Sequence, residues 1–205
     1  MRINEITIAD EPDAWRARGF TIENDRVTIG ESFVVHLTGG DGGVTSWTLG
    51  IDGLDGLSTC TPRGMNVTVT GPEKPEGATN HEIGITHAGK AIVWTEDTAA
   101  SVIALQEAIP EFGPPARDAM STQGTHFAIW PLDDTEVGLE VVCLNPDQGD
   151  DIMAAIFFVV EDFDKAVERI GPDNVIPEDV YTGRRRVIIK PGIGVSLRVH
   201  FLSPE

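Results

Sequence analysis

The side chains with chemical reach are few and widely spaced. The five histidines, His36, His81, His87, His126 and His200, form no His-x-His or His-Glu-x-x-His pair, so no local metal-ligating spacing exists. Cys60 and Cys143 have no neighbouring base that would make a nucleophile and read as two reduced thiols. There is no Gly-x-Ser-x-Gly elbow and no glycine-rich phosphate loop. What remains is mostly cationic. Arg184-Arg185-Arg186 offers guanidinium forks that match carboxylates bidentately, with surface pairing to the abundant acids as the simpler use. Near the end of the chain, Val195, Leu197, Val199 and Phe201 alternate with Ser196, Arg198 and His200. Alternation puts the second set on one strand face, lining a pocket or solvent. His200 is there as a candidate acid or base, beside Ser196 and Arg198 as candidate ligand contacts.

These groups sit in an acidic chain. Its 205 residues carry 33 Asp and Glu against 15 Lys and Arg, a formal charge of −18. That balance excludes a nucleic-acid partner, which wants a basic footprint, and an anionic membrane surface. Its long-range field favours a cationic ligand. No apolar run approaches the roughly 18 residues of a membrane span. The opening stretch MRINEITIADEPDAW lacks an apolar core of the kind a secretion signal needs, so the expected location is cytoplasmic.

A motif of strand, acidic residue and helix occurs three times. The strand-like run Ile3–Ala9 precedes Asp10 and a short helix from Glu11 to Arg18, which Asp10 can cap. Ala91–Glu96 precedes Asp97 and a helix from Thr98 to Leu105. Ala155–Glu161 precedes Asp162 and a helix from Phe163, whose Phe163, Val167 and Ile170 fall on one face. Each helix is followed by strand-like runs: Arg26–Ile29, Ser32–Leu37 and Val44–Ile51, then Thr125–Trp130 and Val137–Cys143, then Arg185–Lys190 and Val195–Leu202. The unit is therefore close to β-α-β-β-β. A doubly wound α/β fold would need a helix between most strands, and these clusters look like hairpins. Residues 71–82, rich in Gly, Pro and charge, read as a linker.

Paired βαβββ units resemble the vicinal oxygen chelate superfamily, which includes glyoxalase-like and bleomycin-resistance-like proteins. The match lies in residues 81–204: His81-Glu82-Ile83-Gly84-Ile85-Thr86 precedes the strand of the second copy, Val137-Gly138-Leu139-Glu140-Val141-Val142 resembles the last strand of a module, and Arg184-Arg185-Arg186 and Val199-His200-Phe201-Leu202-Ser203-Pro204 resemble a glyoxalase-like bacterial group. The resemblance implies an α+β fold of paired modules forming a cupped mixed sheet over residues 84–204, split into 84–146 and 152–204. Residues 1–55 would form a weaker N-terminal module, and 56–83 a connecting segment. In that superfamily a divalent metal sits in the cup, held by a His on the first strand and a Glu on the last strand of the modules. The corresponding positions here are Lys90, Glu140, Ala155 and Arg198. Only Glu140 can ligate a metal, because ammonium and guanidinium groups offer no lone pair. No metal and no cofactor are expected. Glu140 should instead pair with Lys90, Arg198 or both. Trp94 shares the strand face of Lys90 and is a candidate pocket wall. Arg186 is a further candidate ligand contact.

Two functions follow from the resemblance. One is a metal-independent small-molecule-binding protein or degenerate enzyme. The other is a metal-dependent lyase, isomerase or dioxygenase in which Glu140 is a base or residual ligand. Relatives that pair modules between chains make a homodimer the oligomeric expectation.

Overall fold

A computed structural model describes residues 1–30, 33–71, 80–131, 138–144, 147, 149–181 and 183–204, so residues 72–79 of the expected linker lie outside the described residues. The strands fall into two mixed sheets. The first comprises β1 (Arg2–Ile8), β2 (Arg26–Ile29), β3 (Phe33–Leu37), β4 (Val44–Gly50), β5 (Leu57–Cys60) and β6 (Val67–Thr70), in the order β2-β3-β1-β4-β6-β5. The second comprises β7 (Ile85–Thr95), β8 (Arg117–Met120), β9 (His126–Trp130), β10 (Gly138–Cys143), β11 (Ile152–Val160), β12 (Val175–Tyr181), β13 (Arg184–Ile189) and β14 (Arg198–Leu202), in the order β12-β13-β14-β11-β7-β10-β9-β8. Among the described residues three α-helices accompany them: α1 (Pro12–Arg16), α2 (Thr98–Ala108) and α3 (Phe163–Ile170). Among the described residues no helix is long and apolar enough to cross a membrane.

The second sheet is two βαβββ modules placed edge to edge. In each, the first and last strands are parallel, β7 with β10 and β11 with β14, and the helix makes the crossover that a parallel return requires. The two first strands, β7 and β11, pair antiparallel at the centre. The first sheet follows the same plan in shortened form. Strands β1 and β3 are parallel, β4 and β6 are parallel, and β1 pairs antiparallel with β4. Thus the segment 56–83, expected only to connect, supplies β5 and β6 to this sheet. Its strand β5 is short and largely exposed, so it carries little of the apolar alternation by which strands are recognised.

The acidic caps explain two of the helix starts. Asp97 accepts the Ala100 N–H at 3.1 Å and Asp162 accepts the Lys165 N–H at 3.1 Å. Asp10 differs from expectation. The residue before α1 is Glu11, without a side-chain cap, and Asp10 is buried elsewhere. Its Oδ2 accepts the Trp15 indole N–H at 2.8 Å and the Ser196 backbone N–H at 2.9 Å. Helix α1 is a single short turn with Pro12 at its start, so the carboxylate is free to bridge to the C-terminal part of the chain.

The main core lies between the two sheets. Phe158 is fully buried, with ring centroids 6.1 Å from Phe20, 6.4 Å from Phe33 and 6.1 Å from Phe201. Alternation directs Ala91, Val93, Leu139 and Val141 into this core. His81 ties the halves further. Its Nδ1 accepts the Thr21 N–H at 3.0 Å, so Nε2 carries the proton and donates to the Thr28 carbonyl at 2.8 Å. Burial pushes its pKa down, in keeping with that neutral tautomer.

Candidate functional site

The opposite face of the second sheet carries the candidate side chains. A small apolar cluster of Phe157, Val159 and Leu202, with Ile92 packed on it, forms its floor. The central strands are therefore apolar on both faces, as strands covered on both sides usually are. Register fixes the polar groups around this floor. Lys90 lies beside Gly138, and Glu140 beside Ile92, so the two charged residues are diagonal neighbours on one face. Ala155 lies beside Arg198, and Phe157 beside His200.

The Lys90 Nζ donates to Glu140 Oε2 at 2.6 Å, and each side chain is only 17% exposed. This is one of the pairings the sequence suggested. It answers whether the face could hold a metal. Of the four positions that correspond to ligands, three present ammonium, methyl and guanidinium groups, and the one carboxylate is engaged by Lys90. Among the described residues no three His, Cys, Asp or Glu side chains converge anywhere. The donor set at this place does not fit a divalent cation, which needs several lone pairs on deprotonated ligands.

His200 stacks on Phe157 with centroids 4.2 Å apart and planes 4° from parallel. It is buried, and its Nδ1 has no hydrogen-bond partner among the described residues. Burial, then the positive charges of Arg186 and Arg198, pull its pKa down to about 3. The ring is neutral at physiological pH and has no proton to give as an imidazolium. The folded pKa lies below the unfolded value of about 6.5, so between pH 6.5 and pH 3 the unfolded chain binds the extra proton. The stability His200 confers is complete above that window and is lost as pH falls through it. Going from pH 7.5 to pH 5 should cost about 2 kcal/mol from this group alone. His200→Phe keeps a ring on Phe157 and should remove that part of the acid sensitivity. Urea unfolding at the two pH values checks this, and equal acid losses in both proteins would reject it.

The arginine triplet is divided between faces. Arg185 reaches the helix side, where its guanidinium takes both oxygens of Asp164, at 3.0 and 2.7 Å, and covers the Phe163 ring at 4.4 Å. Arg186 points to the candidate face and pairs with Glu178 at 2.5 Å. Arg198 differs from both. No carboxylate among the described residues pairs with it, and its guanidinium lies 5.2 Å from the centre of the Trp94 ring.

Trp94, Ser196 and Arg198 converge on a cavity of about 410 Å³ at the end of this face. Ile152 adds apolar wall, and Gly43 and Val44 close it from the first sheet. The Gly43 N–H donates to Ser196 Oγ at 2.6 Å, so the two halves of the molecule meet at the rim. Lys90, Glu140, His200 and Arg186 share the sheet face and are not part of this lining. Nothing in the sequence signalled the contribution of Gly43 and Val44 to this wall.

Three solved structures share this architecture over nearly the whole chain. The halotolerant catechol dioxygenase BphC superposes with a TM-score of 0.66 at 13% identity, over 98% of this chain and 86% of that one. The 2,3-dioxygenase LapB from Pseudomonas sp. KL28 gives 0.60 at 12% identity, over 99% and 92%. A catechol 2,3-dioxygenase gives 0.59 at 10% identity, over 100% and 94%. No family model and no curated protein matches the sequence. At such identities the likeness concerns the fold. Modules with parallel first and last strands, joined through antiparallel first strands, give this chain the paired βαβββ fold of the vicinal oxygen chelate superfamily, the glyoxalase- and bleomycin-resistance-like proteins.

Proposed function

We propose that the chain binds a small organic anion with an apolar body in the cavity of Trp94, Ile152, Ser196 and Arg198, without a metal. The observation that carries this reading is Arg198, a guanidinium without an ion-pair partner among the described residues, held over an indole beside a largely apolar cavity. Guanidinium forks match carboxylates, and the aromatic wall suits a flat ring. The charge of −18 would draw cations from a distance, as the composition suggests. At contact distance the nearest charge dominates, because solvent charges beyond roughly 8–10 Å are screened at physiological salt. The pairing of Lys90 with Glu140 supports binding over chelate chemistry.

Benzoate and benzylamine, equal in ring and opposite in charge, separate the alternatives by calorimetry or thermal shift. Benzoate should bind preferentially. Arg198→Ala should weaken it about 10- to 100-fold, the worth of a charge-assisted hydrogen bond. Preference for benzylamine would overturn the reading. So would stoichiometric Mn²⁺ or Ni²⁺ that disappears on Glu140→Ala, which would restore the metal-dependent alternative.

A further inference from the structure

A second cavity, of about 310 Å³, opens where three segments meet: the start of α1, the loop between β3 and β4, and the loop that leads to β14. Asp10, Glu11 and Asp41 line it together with glycines, Val195 and Ser196. Among the described residues no Lys, Arg or His joins the lining. The cavity shares Val195 and Ser196 with the anion cavity but neither Trp94 nor Arg198.

Asp10 is the unusual member. It is 3% exposed, and no cationic side chain pairs with it among the described residues. A buried carboxylate without a counter-charge is costly. The hydrogen bonds it accepts, from Trp15 Nε1 and the Ser196 N–H, both end on Oδ2. Oδ1 accepts none among the described residues and is not sealed in the core, so the unused edge of the carboxylate is open to the cavity. Glycine keeps that oxygen uncovered. Gly42 stands beside it with φ of +90°, and a Cβ there would lie 3.4 Å from Oδ1 and 3.0 Å from Ser196 Cβ.

The other two carboxylates of the lining are exposed. Glu11 spends Oε1 on the Gly40 N–H at 3.2 Å, and Asp41 makes no ion pair among the described residues. Among the described residues these carboxylates do not converge into a group that could hold a metal ion. Separated acceptors suit a cation whose donors are themselves spread out. A guanidinium holds its N–H donors in a rigid planar fork, whereas an ammonium concentrates them on one nitrogen. The charge of −18 draws cations from a distance, and this lining has the sign to receive one at contact.

We infer that this cavity binds a small guanidinium compound, with one N–H edge on Asp10 Oδ1 and the remaining donors toward Glu11 and Asp41. The site does not depend on the anion reading. Methylguanidinium is the probe. Methylurea has its shape without the charge, and methylammonium has the charge without the planar fork. Calorimetry on the full chain at low salt should show saturable methylguanidinium binding. Methylammonium should bind about fivefold weaker for a lost hydrogen bond, and methylurea about tenfold weaker or less. Asp10→Asn keeps an acceptor for Trp15 and Ser196 and removes the buried charge. It should cut the preference for methylguanidinium over methylurea about tenfold. Should that variant fail to fold, Glu11→Gln combined with Asp41→Asn, both at exposed positions, decides, with an expected loss of about fivefold in methylguanidinium affinity. No saturable methylguanidinium binding, methylurea binding equally well, or an affinity unchanged in the deciding variant would overturn the inference and leave the cavity to water.

Discussion

Asp10→Ala is expected to destabilise the protein by about 2–4 kcal/mol, because it strands one buried and one part-buried donor, a buried donor being worth roughly 1–3 kcal/mol when left unpaired. Those donors are the Trp15 indole N–H and the Ser196 backbone N–H, which share one carboxylate oxygen across a sequence separation of 186 residues. Asp10 is 3% exposed, so water cannot readily replace it. The change should also reach the ligand. Ser196 lines the larger cavity and holds Gly43 through its hydroxyl, so freeing its backbone should loosen both walls of the rim. Asp10→Asn, which keeps an acceptor oxygen, should lose less than the alanine variant in stability and in benzoate affinity. Denaturant unfolding with parallel calorimetry tests this, and a loss below about 0.5 kcal/mol, the scatter of an ordinary surface change, would contradict it.

Lys90→Met should cost about 2–3 kcal/mol. It keeps an apolar stem of similar length and removes the ammonium, leaving Glu140 as a largely buried carboxylate without its counter-charge. Fully buried pairs lose roughly 3–5 kcal/mol when one partner is deleted, and the 17% exposure of both side chains lowers that figure. The telling protein is the double variant Lys90→Met, Glu140→Leu. Removing both charges takes away the desolvation penalty, so most of the loss should return, with a coupling energy above about 1 kcal/mol. Additive losses would mean that the ion pair contributes nothing specific and that the face tolerates a lone carboxylate.

Much of the fold is legible because its repeat is local. Asp97 and Asp162 stand directly before helical periodicity, and each caps the helix that follows. The same reading fails at Asp10, whose partners include a residue near the other end of the chain. Strand β5 was hidden in a segment read as a connection because it is exposed along most of its length, whereas β6 does alternate, with Val67 and Val69 buried, but over only four residues. The candidate face was visible in part. Alternation groups Ser196, Arg198 and His200, and the module correspondence brings Lys90 to Glu140. Only register shows that Arg198 reaches Trp94, and only the assembled fold moves Ser196 from the sheet face to a rim shared with Gly43.

Among the described residues the strand order leaves four open margins, β2 and β5 on one sheet and β12 and β8 on the other. Unpaired backbone along a margin is a template for amyloid-like addition of another chain. Here β2, β5 and β8 are each four residues long, too short to offer an extended ladder. The longer β12 carries Pro177 in its interior, followed by Glu178 and Asp179. Proline withholds a donor from any incoming strand, and the carboxylates that follow repel a like-charged copy. These margins should therefore resist fibrillar self-association, and any assembly of copies of this chain should form through faces and leave the margins unjoined.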